Sequence, residues 1–209
     1  IVSPAPGRRR FADDALLDAA LEVFHARGYH AAQMTELALR AGTTKPTLYA
    51  RLGSKEQIYV RVLEREAALL KRSLYDAYER AAERPVHEMV EIAMLAFFDF
   101  AQTHQAGFEL LFGGEPGRPG ERIGEAAMEE VIRHVAGLVE AFTRRGGRAS
   151  GVGAELLAAA AVGVAREVCR YALDNGHDLD AAGRLATAFT DAGMLGIDPA
   201  AIERVQAAG

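Results

Sequence analysis

Apolar residues recur at spacings of three and four along nearly the whole chain, and no stretch alternates apolar with polar residues for long. Alanine is abundant, β-branched residues are scattered, and glycine and proline fall between the periodic segments. This pattern excludes a sheet and points to an all-α protein. At 209 residues and 22.4 kDa the chain can bury a sizeable core. Half of its residues are hydrophobic and a quarter are charged, which excludes a disordered tail. The longest apolar runs, such as 92–98 and 156–164, are far shorter than a bilayer span. The basic cluster within residues 1–10 has no apolar core behind it, so no secretory signal is expected. The lone Cys169 can form neither an intrachain disulfide nor half of a metal knuckle. A soluble, cytoplasmic protein without membrane association is expected.

The formal net charge of −5 hides a split. Residues 1–55 carry 8 Lys and Arg against 5 Asp and Glu, whereas residues 56–209 carry 16 against 24. A basic first quarter on an acidic remainder is what a chain shows when one small part meets a polyanion.

The first helix is expected over 13–27, with Leu16, Leu17, Ala20, Leu21 and Phe24 on one stripe and Gly28 as its stop. Asp13 and Asp14 suit its positive end. Thr35 can cap a short second helix, with Met34 stapled to Leu39, and Gly42 ends it. Thr44 can cap a third, with Pro46 in the first turn, where a missing N–H costs nothing. Ser54 and Gln57 form a capping-box pattern opening a long fourth helix to about 80. Further helices are expected over 86–104, 108–112, up to 145, over 154–173 and 181–195, and shortly after Asp198-Pro199. Six of the eight residues at 113–120 are Gly or Pro, which marks a loop.

Three short helices with a tight Ala41-Gly42-Thr43-Thr44 turn between the second and third make the pattern of a helix-turn-helix. Its outward polar residues would be Thr35, Thr44, Lys45, Thr47, Tyr49 and Arg51, with Lys55 at the first turn of the fourth helix. Hydroxyls and cations of this kind bind phosphate oxygens and base edges. Leu37, Ala38, Leu48 and Leu52 would hold the three helices together.

The stretch 35–55, with Ala41-Gly42, Thr47-Leu48-Tyr49 and Lys55 at fixed spacing, resembles the signature of tetracycline-repressor-type (TetR family) transcriptional regulators. The resemblance covers about the first 60 residues. Leu52 stands where the family commonly has an aromatic, Pro46 where glycine is more usual, and Arg51 where His or Tyr is frequent. The resemblance implies an N-terminal helix-turn-helix DNA-binding domain at 1–55 and a larger helical effector-binding and dimerisation domain at 56–209, linked by helix four at about 54–80. It implies a homodimer on palindromic double-stranded DNA, with half-sites about 34–36 Å apart. Lys45 and Thr47 would read bases, Thr35, Tyr49 and Lys55 would contact phosphate, and Arg8, Arg9 and Arg10 would add attraction. It further implies a repressor released by a small apolar effector.

In the remainder, Val90, Phe97, Ala101 and His104 share one face of the fifth helix, Met94 widens it, and Phe108, Phe112 and Phe142 add aromatic surface. These residues are the expected effector pocket, with His104 as its polar group. The last two long helices are rich in alanine and glycine, which suits close packing across a two-fold axis. GxSxG, P-loop, GxGxxG and HExxH patterns are absent, and the single Glu22-x-x-His25 is short of a di-iron set. No enzyme activity, cofactor or metal is therefore expected. The alternatives are a helix-turn-helix regulator controlled by a protein partner, and a helical enzyme.

Overall fold

The computed structural model of the chain describes residues 6–113, 116–143 and 151–208. Among the described residues there are ten helices and no strand. They are α1 (Pro6–Ala31), α2 (Met34–Arg40), α3 (Lys45–Leu52), α4 (Lys55–Ala81), α5 (Val86–Thr103), α6 (Gln105–Phe112), α7 (Ile123–Thr143), α8 (Val152–Asp174), α9 (Leu179–Gly196) and α10 (Pro199–Ala208). The chain divides into two compact units, residues 1–69 with 104–124 and residues 70–103 with 125–209.

In the first unit the expected stripe of α1 is buried: Leu16, Leu17, Ala20 and Phe24 all lie in the core. The helix is longer than its apolar pattern predicts. Gly28 adopts φ 75°, a left-handed kink rather than the end, and helical turns continue to Ala31. The start of α2 also differs. Gln33, not Thr35, holds the extended N-cap position and offers no side-chain bond, which leaves Thr35 exposed in the first turn. Leu39, expected to staple against Met34, is 81% exposed. The end of α2 is a full Schellman closure: Thr43 N–H donates to Ala38 C=O at 2.9 Å and Gly42 N–H to Leu39 C=O at 3.1 Å. Gly42 supplies the positive φ, 61°, that this turn demands. As expected, the Thr44 side chain caps α3, accepting from Thr47 N–H. The capping box of α4 also forms, with Ser54 N–H donating to Gln57 Oε1 at 2.8 Å and Gln57 N–H to Ser54 Oγ at 3.2 Å.

The segment 104–124 belongs to this unit, where α6 packs on α1. His25 and Glu109 join them at 2.6 Å. Arg118, in the glycine- and proline-rich loop, is 6% exposed and donates to the Tyr59 hydroxyl at 2.8 Å and the Leu111 carbonyl at 3.3 Å. Glu66 is 1% exposed and rests against α6, where a Cβ at Gly107 would run into its carboxylate.

In the second unit α5 packs on α8 and α9, and α10 packs on α8. The small residues set the spacing: a Cβ added at Gly183 of α9 would stand 3.1 Å from the Phe98 ring of α5. Asp178 caps α9 by accepting from Ala181 N–H at 2.8 Å. No helix among the described residues is long and apolar enough to cross a membrane.

Candidate nucleic-acid interface and ligand cavity

Helix α3 turns Leu48 and Leu52 into the core, at 1% and 3% exposure. The opposite face presents Thr44, Lys45, Thr47 and Tyr49 to solvent, and exposed Thr35 adds a hydroxyl from α2. The Thr44 and Thr47 hydroxyls lie 2.9 Å apart, so the cap also fixes a pair of surface hydroxyls, one donating to the other. Tyr49 is 52% exposed, an unusual state for so large a ring.

The two other cations of the motif are engaged with protein atoms. The Lys55 ammonium has three donors, and it faces three carbonyls: Tyr29 at 2.9 Å, Ala32 at 3.0 Å and His30 at 3.2 Å. It also sits 4.6 Å from the centre of the Tyr29 ring. Lys55 thus satisfies the carbonyl-rich end of α1, where the kink at Gly28 disturbs the regular ladder. Arg51 grips Asp13 of α1, with Nη2 at 2.5 Å and Nε at 2.9 Å, and braces α3 from its C-terminal end. The sequence pattern assigned Lys55 and Arg51 to the motif and carried no sign of these partners, which lie on α1 and just after it. Arg8, Arg9 and Arg10 belong to α1, and their side chains lie outside the described residues.

The second unit holds a partly open cavity of about 620 Å³. Its walls come from Leu74 and Tyr78 of α4, Val90, Met94 and Phe97 of α5, Val131 and Val135 of α7, Ala161 and Val162 of α8, and Thr190 and Met194 of α9. Of the residues expected to form an effector pocket, Val90, Met94 and Phe97 are brought together there. Ala101 is buried in the same unit but is not part of this lining. His104, Phe108 and Phe112 fall in the first unit, because α5 ends at Thr103 and a separate helix, α6, starts after the non-helical His104. His104 occupies the N-cap of α6, with Nδ1 3.9 Å from Glu66 Oε2. The side chain of Phe142 lies outside the described residues.

The polar groups of the cavity are Tyr78, His87, Thr190 and Asp191. Burial pushes the Tyr78 phenol well above its ordinary value, so it remains a neutral donor. Thr190 is 6% exposed and its Oγ1 has no hydrogen-bond partner. The sequence signal for Thr190 was its place on the buried face of α9, seven residues after Gly183 and four after Ala186. Cys169 is fully buried, and its thiol is pushed up to about 12 by burial, so it is chemically quiet. Among the described residues no cluster of His, Cys, Asp and Glu could hold a metal ion.

A short helix exposing hydroxyls, a lysine and a tyrosine after a Schellman turn defines a helix-turn-helix of the nucleic-acid-binding class. Residues 16–62 match the family described as bacterial regulatory proteins, tetR family. The similarity to that family lies in the helix-turn-helix segment, residues 16–62. Over 97 residues it is 41% identical to the HTH-type transcriptional activator FasR of Mycolicibacterium smegmatis, a match that covers 46% of this chain and 43% of that protein. The chain thus matches less than half of that relative's length. The structure of a TetR-like transcriptional regulator from Rhodococcus sp. RHA1 superposes with a TM-score of 0.68 at 25% identity, over 89% of this chain and 97% of that one. The Bacillus subtilis regulator FadR, solved in complex with stearoyl-CoA, shares the fold with a TM-score of 0.72 at 17% identity, over 85% and 97% of the two chains.

Proposed function

We propose that the protein is a homodimeric, sequence-specific DNA-binding repressor that a small apolar effector releases from a palindromic operator. The observation that carries the reading is the solvent-facing set Thr44, Lys45, Thr47 and Tyr49 on a capped helix whose other side is locked into the core. Lys45 and Thr47 stand at the N-terminal end of α3, the end that meets base edges in a helix-turn-helix. Tyr49 and Thr35 contact phosphate. Lys55 and Arg51 hold α1 and α3 in place for that contact rather than touching DNA themselves.

Dimerisation is supported by the apolar residues that α8 and α9 leave exposed. Leu156 is 53% exposed, Leu185 69% and Phe189 67%. Paired across a two-fold axis, these helices form a four-helix bundle and bury that surface. Acting on DNA, the protein works in the cytoplasm.

Effector control is supported by the 620 Å³ cavity, a volume that suits a drug-sized or lipid-sized ligand. The fold relative FadR was solved in complex with stearoyl-CoA. A ligand that prefers the DNA-incompetent dimer weakens operator affinity by linkage. The test is operator affinity with and without a saturating cavity ligand, by fluorescence anisotropy on a DNA site selected from a random pool. A loss of at least about tenfold is expected. A change below about twofold, or about 0.4 kcal/mol of coupling, contradicts effector control.

A further inference from the structure

We propose that the cavity takes an uncharged lipophile carrying one hydrogen-bonding group, and that the Thr190 hydroxyl is the residue that recognises that group. The proposal rests on the effector-cavity reading above and specifies its ligand.

The first support is an orphaned hydroxyl. Buried polar side chains in proteins are nearly always paired. A helical threonine ordinarily bonds the carbonyl four residues back. Thr187 does so, donating to Gly183 C=O at 2.9 Å. Thr190, on the same helix and more deeply buried, does not, and its Oγ1 lies unpaired on the wall of an apolar cavity. A hydroxyl both donates and accepts, so it can complement an alcohol, a ketone or an ester.

The second support is charge. Among the described residues lining the cavity none is Lys or Arg, and the one carboxylate is Asp191. An adjoining pocket of about 230 Å³ shares His87 and Asp191 and adds Glu91 and Arg184. A ligand head reaching that far meets two carboxylates and one guanidinium, a balance that disfavours an anion. A cation inside the main cavity would be desolvated among mostly aliphatic walls, with Asp191, which the adjoining pocket shares, as its one counter-charge. Tyr78 adds a neutral phenol. The lining therefore selects for apolar volume with one neutral polar group.

The experiment uses the full chain and the fluorescent lipophile N-phenyl-1-naphthylamine, displaced by 1-dodecanol, dodecanoate or dodecyltrimethylammonium below their aggregation limits at about pH 8. Dodecanol is expected to displace the probe at a concentration at least about tenfold lower than either ion. Thr190→Val keeps the shape of the side chain and removes the hydroxyl. It should weaken dodecanol about three- to tenfold and leave the probe within about twofold. Thr190→Ser should restore dodecanol binding. Equal or tighter binding of either ion overturns the proposal, as does unchanged dodecanol binding by Thr190→Val. A probe that fails to bind the parent chain overturns the cavity reading with it. If dodecanol binds as stated yet leaves operator affinity unmoved, the ligand assignment stands and the regulatory reading falls.

Discussion

Lys55 and Lys45 lie ten positions apart in one motif, and their surroundings differ sharply. Lys45 is exposed at the start of α3, whereas all three donors of Lys55 face the carbonyls of Tyr29, His30 and Ala32. Lys55→Met should therefore lower unfolding stability by about 1–3 kcal/mol and leave the salt dependence of DNA binding unaltered. Lys45→Ala should leave stability within about 0.5 kcal/mol and change sequence preference. Urea unfolding and salt titrations of DNA affinity read both. A salt slope reduced by about one in the Lys55 variant would return that residue to the phosphate backbone. A second residue-scale consequence concerns pH. Burial raises the Glu109 carboxyl, but hydrogen bonds from Gln105 and His25, together with the His25 charge, outweigh it and hold the group below its ordinary value. A carboxyl depressed in the folded state contributes stability at neutral pH, and that contribution is lost as pH falls through the lowered value. Glu109→Gln should flatten this acid limb below the ordinary carboxylate value in thermal melts, and an unchanged limb would contradict the pairing.

Local chemistry was largely legible at the level of helices. The Thr44 cap, the Ser54–Gln57 box and the Gly42 turn depend on residues within a few positions of each other, and such signals survive in sequence. The exposed positions of α3 were legible for the same reason: outward positions on an eight-residue helix follow from where Leu48 and Leu52 must point. What was not legible depended on distant partners. Nothing within residues 45–55 records that Arg51 meets Asp13 or that Lys55 meets the end of α1. The cavity was legible only in part, because one apolar face on α5 cannot reveal which helices oppose it, and the chain redirects at His104. Glycines carry the same lesson. Gly183 faces Phe98 at close range, while a Cβ at Gly137 would meet nothing within 4 Å. Gly183→Val should destabilise the second unit by about 1–3 kcal/mol through overpacking of α5 on α9. Gly137→Ala should stabilise α7 by about 0.5–1 kcal/mol. Denaturant midpoints compare the two, and equal effects would show that the α5–α9 approach is not limited by side-chain bulk.

At the scale of the whole molecule, DNA recognition and oligomeric state are one question, since a single three-helix head reads only a half-site. Phe189 and Leu185 are the most exposed of the large apolar residues described on α9. Phe189→Glu should produce monomers in sedimentation experiments and should weaken binding to a full palindrome far more than to an isolated half-site. Retention of a dimer by this variant would move the two-fold axis away from α9. The central claim is that the face of α3, doubled by symmetry, reads a defined DNA sequence. Selection of bound duplexes from a randomised library, at about 50 and 200 mM salt, tests it most directly. Recovery of a palindrome with half-sites about ten base pairs apart at both salt concentrations is the expected result. Retention without sequence preference, collapsing as salt rises, would contradict it.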